Sequence, residues 1–555
     1  MAAYADLAFV NGAVYTVDAG RSRARAVAVK GGRVMHVGQD DDVRELIGPA
    51  TEVLDLEGRM LLPGFQDAHV HPVSGGLDML RCDLHALATA EEYLMAIRSY
   101  ADVNPDREWI LGGGWSMDVF PGGTPTREAL DAVVPDRPAF LPNRDGHSTW
   151  VNSAALRIAG VTRDTPDPVD GRIERDATGE PTGSLHEGAM DLVGRLTLPP
   201  SPEEMVEGLR KGQAHLHSLG ITAWQDAIVN AASLENNFDA YVRAAEQGVL
   251  TARVIGALWW DRHRGLEQIA DLVALRESGR VGRFAPTSVK IMQDGVCENF
   301  TAAVLEPYLD AEGEVTGNRG ISFVEPEMLA EAVTRLDEQS FQVHFHSLGD
   351  RAVREALDAV EAARRANGPK DLRHHLAHIQ VVHPDDVPRF RALGAVANAQ
   401  PLWAAHEAQM DGLTIPFLGE PRWRRQYPFA SLVRAGATLA MGSDWSVSSA
   451  DPLEEIHVAV NRVAPPGSVP GEERPEVFLP EERLDLATSI AGFTMGSAYV
   501  NHLDDVTGSI EAGKLADLVV VDRDLFARPP EEIAMSRVEL TMVEGQRVYA
   551  APGFS

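Results

Sequence analysis

From about residue 200 to residue 445, short apolar runs with the look of strands take turns with amphipathic helical stretches. The runs read ITAWQD, ARVIGALWW, TSVKIMQD, FQVHFHSLGD, RHHLAHIQ, AVANAQP and TLAMGSDW. Between them, segments such as PEMLAEAVTRLDEQS and RAVREALDAVEAARRA carry apolar residues at three- and four-residue spacing. LLPGFQDAHVH, ahead of them, brings the strands to eight. Buried strands that alternate with helices in this number predict an α/β fold, a distorted (β/α)8 TIM barrel, with its chemistry at the carboxyl ends of the strands.

The two ends of the chain speak a different grammar. DLAFV, GAVYTV, RAVAV, RVMHVG and TEVLDL at the start, and GSIEAGKLADLVVVD and VELTMVEGQRVYAA at the finish, are strands and turns with hardly a helix between them. They predict one small β-sandwich built from both termini, residues 1–62 and 505–555, around a barrel at 63–504. Residues from about 72 to 200 break the barrel rhythm with Gly/Pro turns and runs such as ILGGGW and PAFLPNRDGHSTW, and are expected to form an insertion covering the barrel mouth.

Charge then limits the partners. Fifty Lys and Arg against 82 Asp and Glu leave a formal net charge of −32, which repels nucleic-acid phosphates and anionic lipid head groups. No apolar run approaches the roughly 18 residues of a membrane span, and MAAYADLAFVNG lacks a basic segment followed by a long apolar one. The expectation is a cytoplasmic protein acting on a small molecule, without nucleic acid or membrane. Cys82 and Cys297, the two cysteines, are too few for a disulfide framework.

Polar groups at the predicted strand ends are where the chain becomes specific. His69 and His71 lie two apart on the first barrel strand, so both imidazoles point the same way, as two ligands of one metal must. With 18 histidines in 555 residues, an H-x-H triplet arises by chance about once in a chain this long, so the pair alone says little. His215 and His217 repeat it on a helix, where such residues face opposite sides and read as surface or packing groups. His344 and His346 repeat it on a strand, and at least one can be functional. Lys290, His378 and Asp444 also stand near strand ends. Each alone has an ordinary explanation, but a lysine inside a barrel is costly unless something neutralises it.

The set His69, His71, Lys290, His346, His378 and Asp444 resembles the amidohydrolase superfamily of metal-dependent hydrolases, as do LPGFQDAHVH and GSIEAGKLADLVVVD. VKIMQDG, HSLGDRAV, RDGHSTWVNSAAL and MGSDWSV are similar to the amidohydrolase-3 branch, which includes YtcJ-like proteins and N-substituted formamide deformylases. The resemblance implies two divalent metals, most often zinc: one on His69, His71 and Asp444, the other on His346 and His378, bridged by Lys290 as its N-carboxylated form. It further implies attack of a metal-activated hydroxide on an amide carbonyl, with Asp444 moving the proton to the departing amine. Homodimerisation is a family-level expectation.

Deaminases of the same superfamily place a glutamate shortly after the fifth-strand histidine. His346 is instead followed by Ser347-Leu348-Gly349-Asp350. A non-catalytic assembly protein would have lost ligands that this chain keeps. Trp115, His147, Cys297, Trp403 and Trp445 are candidate substrate contacts, and His147 also a candidate catalytic group that hydrogen-bonds the carbonyl oxygen. With no basic cluster near the motifs, the pocket should prefer a neutral or cationic substrate, and the predicted one is a small neutral amide or N-substituted formamide with an aryl or alkyl group on its amine side. A cyclic amide or ureide of the hydantoin kind is the runner-up.

Overall fold

A computed structural model describes residues 4–231, 237–468 and 476–554. Eight parallel strands form its centre: β1 (Phe65–Val70), β2 (Ile221–Val229), β3 (Arg253–Trp259), β4 (Phe284–Met292), β5 (Gln342–Ser347), β6 (His375–His378), β7 (Val396–Ala399) and β8 (Thr438–Met441). Every residue of β1 and of β5 is buried, which marks strands covered on both faces. The covering is helical. The helix Asp350–Asn367 turns Val353, Ala356, Leu357, Val360 and Ala363 inward at three- and four-residue steps, and Pro326–Glu338 does the same with Leu329, Ala332, Val333 and Leu336.

The ladder runs in order from β1 to β8 and stops there. The seam between these two strands is stitched just beyond β8. Asp444 N donates to His69 O at 2.8 Å, His71 N to Trp445 O at 2.8 Å, and Ser443 Oγ to Asp67 Oδ2 at 2.6 Å.

Both chain ends contribute to a pair of sheets. Arg33–Gly38, Ala26–Lys30, Leu7–Val10 and Glu52–Asp55 make a four-stranded one, and Gln546–Ala550, Val538–Val543, Leu518–Val521, Met60–Pro63, Ala13–Tyr15 and Arg23–Ala24 a six-stranded one. Phe9, Val27 and Leu54 of the first share a core with Leu61, Val520 and Leu540 of the second. Arg253 at the start of β3 pairs with Asp517 and Glu544, tying these sheets to the barrel floor.

The inserted segment folds around its own six-stranded sheet, from Cys82–Asp83 to Pro181–Glu187, with the helix Ala90–Val103 against it. Its start lies later than residue 72. The helix Pro72–Asp78 packs instead on the barrel helix Pro202–Ser218, so closely that a Cβ on Gly76 would sit 1.8 Å from Gly208 O.

Trp115 corrects the expectation of a substrate contact. It is fully buried, packs on Phe120 and Trp150, and donates from Nε1 to Leu141 O at 2.7 Å. The ring completes the insertion's own core and its one polar atom is already satisfied. Among the described residues, no helix is long and apolar enough to cross a membrane.

Candidate metal centre and substrate cavity

β1 ends in Asp67-Ala68-His69-Val70 and His71 follows it directly, and continued alternation sends both imidazoles toward Asp444, which follows β8. His69 Nε2 lies 3.2 Å and His71 Nε2 3.0 Å from the same oxygen, Asp444 Oδ1. Their ligand atoms all fall within 4.8 Å of one another, as three donors to one ion require. Burial pulls the His69 imidazole down to about 3, which keeps it a neutral donor. Burial pushes the Asp444 carboxyl the other way, but the imidazoles of His69, His71 and His378 around it outweigh that and hold it ionised, well below the usual carboxylate range. Asp444 has φ +57 and His378 φ +76, left-handed values that cost side-chain-bearing residues roughly 1–3 kcal/mol each and that collect where function holds them.

His346 and His378, from β5 and β6, complete the ring of imidazoles. The His378 centroid is 4.7 Å from that of His69 and 4.5 Å from that of His346. Here the polar atoms lack partners. Nδ1 and Nε2 of His378 and Nδ1 of His346 are buried without a hydrogen bond, although Asp294 Oδ1 stands 3.4 Å from the last and Asp444 Oδ2 3.8 Å from His378 Nδ1. Lys290 enters from β4, is 2 % exposed, and has its ammonium pulled down to about 7 by burial. Unpaired buried imidazole nitrogens next to a three-donor cluster are the donor set of a metal centre, and these residues fit a divalent cation.

The centre lies beside a cavity of about 680 Å³. Trp403 and Trp445 both line it. Trp403 stacks on His378 at 5.3 Å with the rings 10° apart, and Trp445 has room because position 75 is glycine, where a Cβ would come within 2.7 Å of its ring. His215, read as a surface or packing residue, meets Trp445 at 4.8 Å and also lines the cavity. The close glycine contact of its helix with Pro72–Asp78 is what carries it there. His217 is a packing residue, bonded to Ile221 O and Thr251 Oγ1 at 2.8 Å each. Cys297 does not line the cavity, unlike its neighbours Val296 and Glu298. It is 1 % exposed in a separate apolar cluster with Tyr308 and Val304, and burial pushes its thiol far up, so the expected contact is corrected for Cys297 as for Trp115. The carboxyl groups of Asp78, Asp83, Asp118, Asp145, Glu298, Glu407 and Glu454 line the cavity, against Arg144, and burial pushes Glu407 up to about 7.

His147 reaches the centre from the insertion, its ring 5.2 Å from that of His346. Its Nδ1 is 2.9 Å from Glu187 Oε1, and the same oxygen accepts from Thr301 Oγ1 at 2.8 Å and Asn299 Nδ2 at 3.2 Å. Burial alone would lower the imidazole, but the Glu187 charge and hydrogen bond push it up to about 9. Sequence reasoning missed Glu187 and Asp294. Both are single carboxylates in runs without periodicity, joined to their histidines only by tertiary structure.

A parallel eight-stranded barrel with imidazoles, a lysine and a carboxylate at its strand ends defines a metal-dependent hydrolase architecture. The chain belongs to the amidohydrolase family, whose sequence profile matches residues 52–549, and is thereby a hydrolase of carbon–nitrogen bonds. It is 31% identical to the putative amidohydrolase YtcJ of Bacillus subtilis, over 97% of this chain and 98% of that one. It is 30% identical to the N-substituted formamide deformylase of Arthrobacter pascens, over 99% of both. An uncharacterized metal-dependent hydrolase from Pyrococcus furiosus superposes with a TM-score of 0.70 at 25% identity, covering 93% of this chain and 99% of its own.

Proposed function

We propose that this protein hydrolyses the amide bond of a small, neutral or cationic substrate whose amine side bears an aryl or alkyl group, an N-substituted formamide being the type case. The observation that carries this reading is the position of the unpaired imidazole nitrogens of His346 and His378 beside a cavity walled by Trp403 and Trp445. Two divalent ions, zinc by preference, would be held by His69, His71 and Asp444 on one side and by His346 and His378 on the other. Lys290, a buried lysine whose amine burial favours as the neutral form, would bridge them after taking up carbon dioxide as a carbamate. Bound there, the ions supply Lewis acidity toward the carbonyl and acidify water.

The chain's own groups do the rest. Asp444, ionised and shared between two imidazoles, accepts a proton at the attacked face and returns it to the departing nitrogen, which leaves poorly without one. His147, fixed through Nδ1 by Glu187, offers its other nitrogen to the carbonyl oxygen. The tryptophans cover the amine substituent and exclude water. The wall carboxylates Asp118 and Asp145 disfavour an anionic substrate.

Assays of N-benzylformamide and N-acyl arylamines beside hydantoins and dipeptides, with the protein reconstituted with zinc, test the reading. Turnover of the neutral amides is expected. Turnover of hydantoins or anionic dipeptides with none of the neutral amides overturns it.

A further inference from the structure

Beneath the metal centre, inside the barrel, lies a chain of buried amides and imidazoles whose hydrogen-bond directions can be assigned link by link. Gln342 donates from Nε2 to two backbone carbonyls, Arg373 O at 3.0 Å and Val500 O at 2.6 Å, so its Oε1 is an acceptor. Gln225 Nε2 donates to that oxygen at 3.0 Å and to Asn501 Oδ1 at 3.0 Å. Gln225 Oε1 must therefore accept, and two imidazoles meet it: His344 Nδ1 at 2.6 Å and His375 Nε2 at 3.0 Å. Asn398 confirms the second direction. Its own oxygen accepts from Gln400 Nε2 at 3.1 Å, so its Nδ2 donates to His375 Nδ1 at 3.1 Å.

His344 thus carries its hydrogen on Nδ1. The ring is fully buried, and its hydrogen-bond partners are an amide and an imidazole, with no carboxylate to support an imidazolium. It is neutral, and its Nε2 is a lone pair. That lone pair faces His69 Nδ1 at 2.8 Å. His69 Nδ1 must supply the hydrogen, which leaves the lone pair of His69 on Nε2, the atom next to Asp444 Oδ1.

We propose that His344, held by Gln225, is a positioning residue that fixes His69 in the tautomer able to bind metal through Nε2. Two backbone carbonyls set the sense of the whole chain, four links from the ligand atom. The inference rests on the metal-centre reading above. It reaches past the ligands to a residue from the strand that supplies His346, whose neighbour two positions away thereby serves the opposite half of the site. Metal-ligating histidines whose second nitrogen loses its partner typically lose 10- to 100-fold in affinity.

The experiment is a zinc titration of the metal-free full-length protein against a chelating competitor dye, for wild type, His344→Phe, His344→Gln and Gln225→Met, with the melting temperature of each apo protein measured alongside. His344→Phe is expected to weaken zinc binding 10- to 100-fold, more than its fall in apo melting temperature from the orphaned His69 Nδ1 accounts for. His344→Gln, whose amide oxygen can take the place of Nε2, is expected to restore most of the affinity. Gln225→Met keeps His344 but frees its tautomer, so an intermediate loss is expected, and it serves if His344→Phe fails to fold. Equal zinc affinity in wild type, His344→Phe and Gln225→Met overturns the inference. So does a loss that follows the apo melting temperature and is not rescued by His344→Gln, which would assign a packing role. Absence of zinc binding by wild type would instead overturn the metal-centre reading itself.

Discussion

The two halves of the metal centre are built on opposite principles. On the β1–β8 side the protein places every group: His71 is hydrogen-bonded to Asp444, both imidazoles lie within 3.2 Å of one carboxylate oxygen, and a network of neutral amides and imidazoles stands behind His69. On the β4–β6 side, Lys290 is buried without an ion pair among the described residues, and His378 has no hydrogen bond at either ring nitrogen. One half is organised by the protein. The other carries groups whose burial costs folding energy unless something binds them, and the difference teaches which residues serve the apo fold and which serve only the loaded one.

Removing metal should have the largest effect and test both halves together. Dialysis against a strong chelator is expected to abolish amide hydrolysis, and elemental analysis of the active protein should find up to two equivalents of divalent metal. Full activity in metal-free protein would break the comparison at its root. Next comes Asp444→Asn, which keeps the size of the side chain and loses its basicity. A fall in kcat of about 10²- to 10⁴-fold is expected at retained circular dichroism, and wild-type turnover would place the proton transfer elsewhere.

The comparison is sharpest in the apo protein. There Lys290→Met removes an unpaired buried amine, so the apo protein should gain on the order of 1–3 kcal/mol in urea unfolding while metal content falls. Asp444→Asn should instead lose stability, because it weakens the acceptor of His71 Nε2 and removes the one negative charge between the imidazoles. Opposite signs are expected, and equal signs would erase the distinction between the halves.

A smaller effect concerns His147. Its folded pKa, about 9, lies above the ordinary histidine value of 6.5, so its pairing with Glu187 stabilises fully below 6.5 and fades as pH rises through 9. That span corresponds to roughly 3 kcal/mol. Apo stability should decline over this window in wild type and decline less in Glu187→Gln. Smallest of all, Trp403→Leu should raise KM for aryl-substituted amides a few-fold and leave kcat nearly unchanged.

The barrel and the residues at its centre were legible because both follow from short-range rules. β1 to β8 coincide with the eight apolar runs, and His69, His71, Lys290, His346, His378 and Asp444 come together because strand alternation and strand ends are visible in a sequence. What stayed hidden depends on a second layer of packing. Trp115 follows a short strand whose inward face is set by Phe120 and Trp150, and no periodicity says whether such a ring faces a cavity or a core. Cys297 and Glu298 are adjacent, yet one is sealed among Tyr308 and Val304 and the other looks into the cavity. Gln225 has no signature at all, since its role exists only once Gln342, His344 and His375 are assembled around it.

The seam between β1 and β8 has a consequence for how the protein is made. His71 and Asp444 are 373 residues apart in sequence, and the strand that precedes Asp444 is the last of the eight to be synthesised. A chain emerging from the ribosome exposes its H-x-H pair early, yet cannot present the three-donor cluster until the eighth strand has been synthesised and docked. A divalent ion that needs all three donors would therefore find them only once the ring has closed.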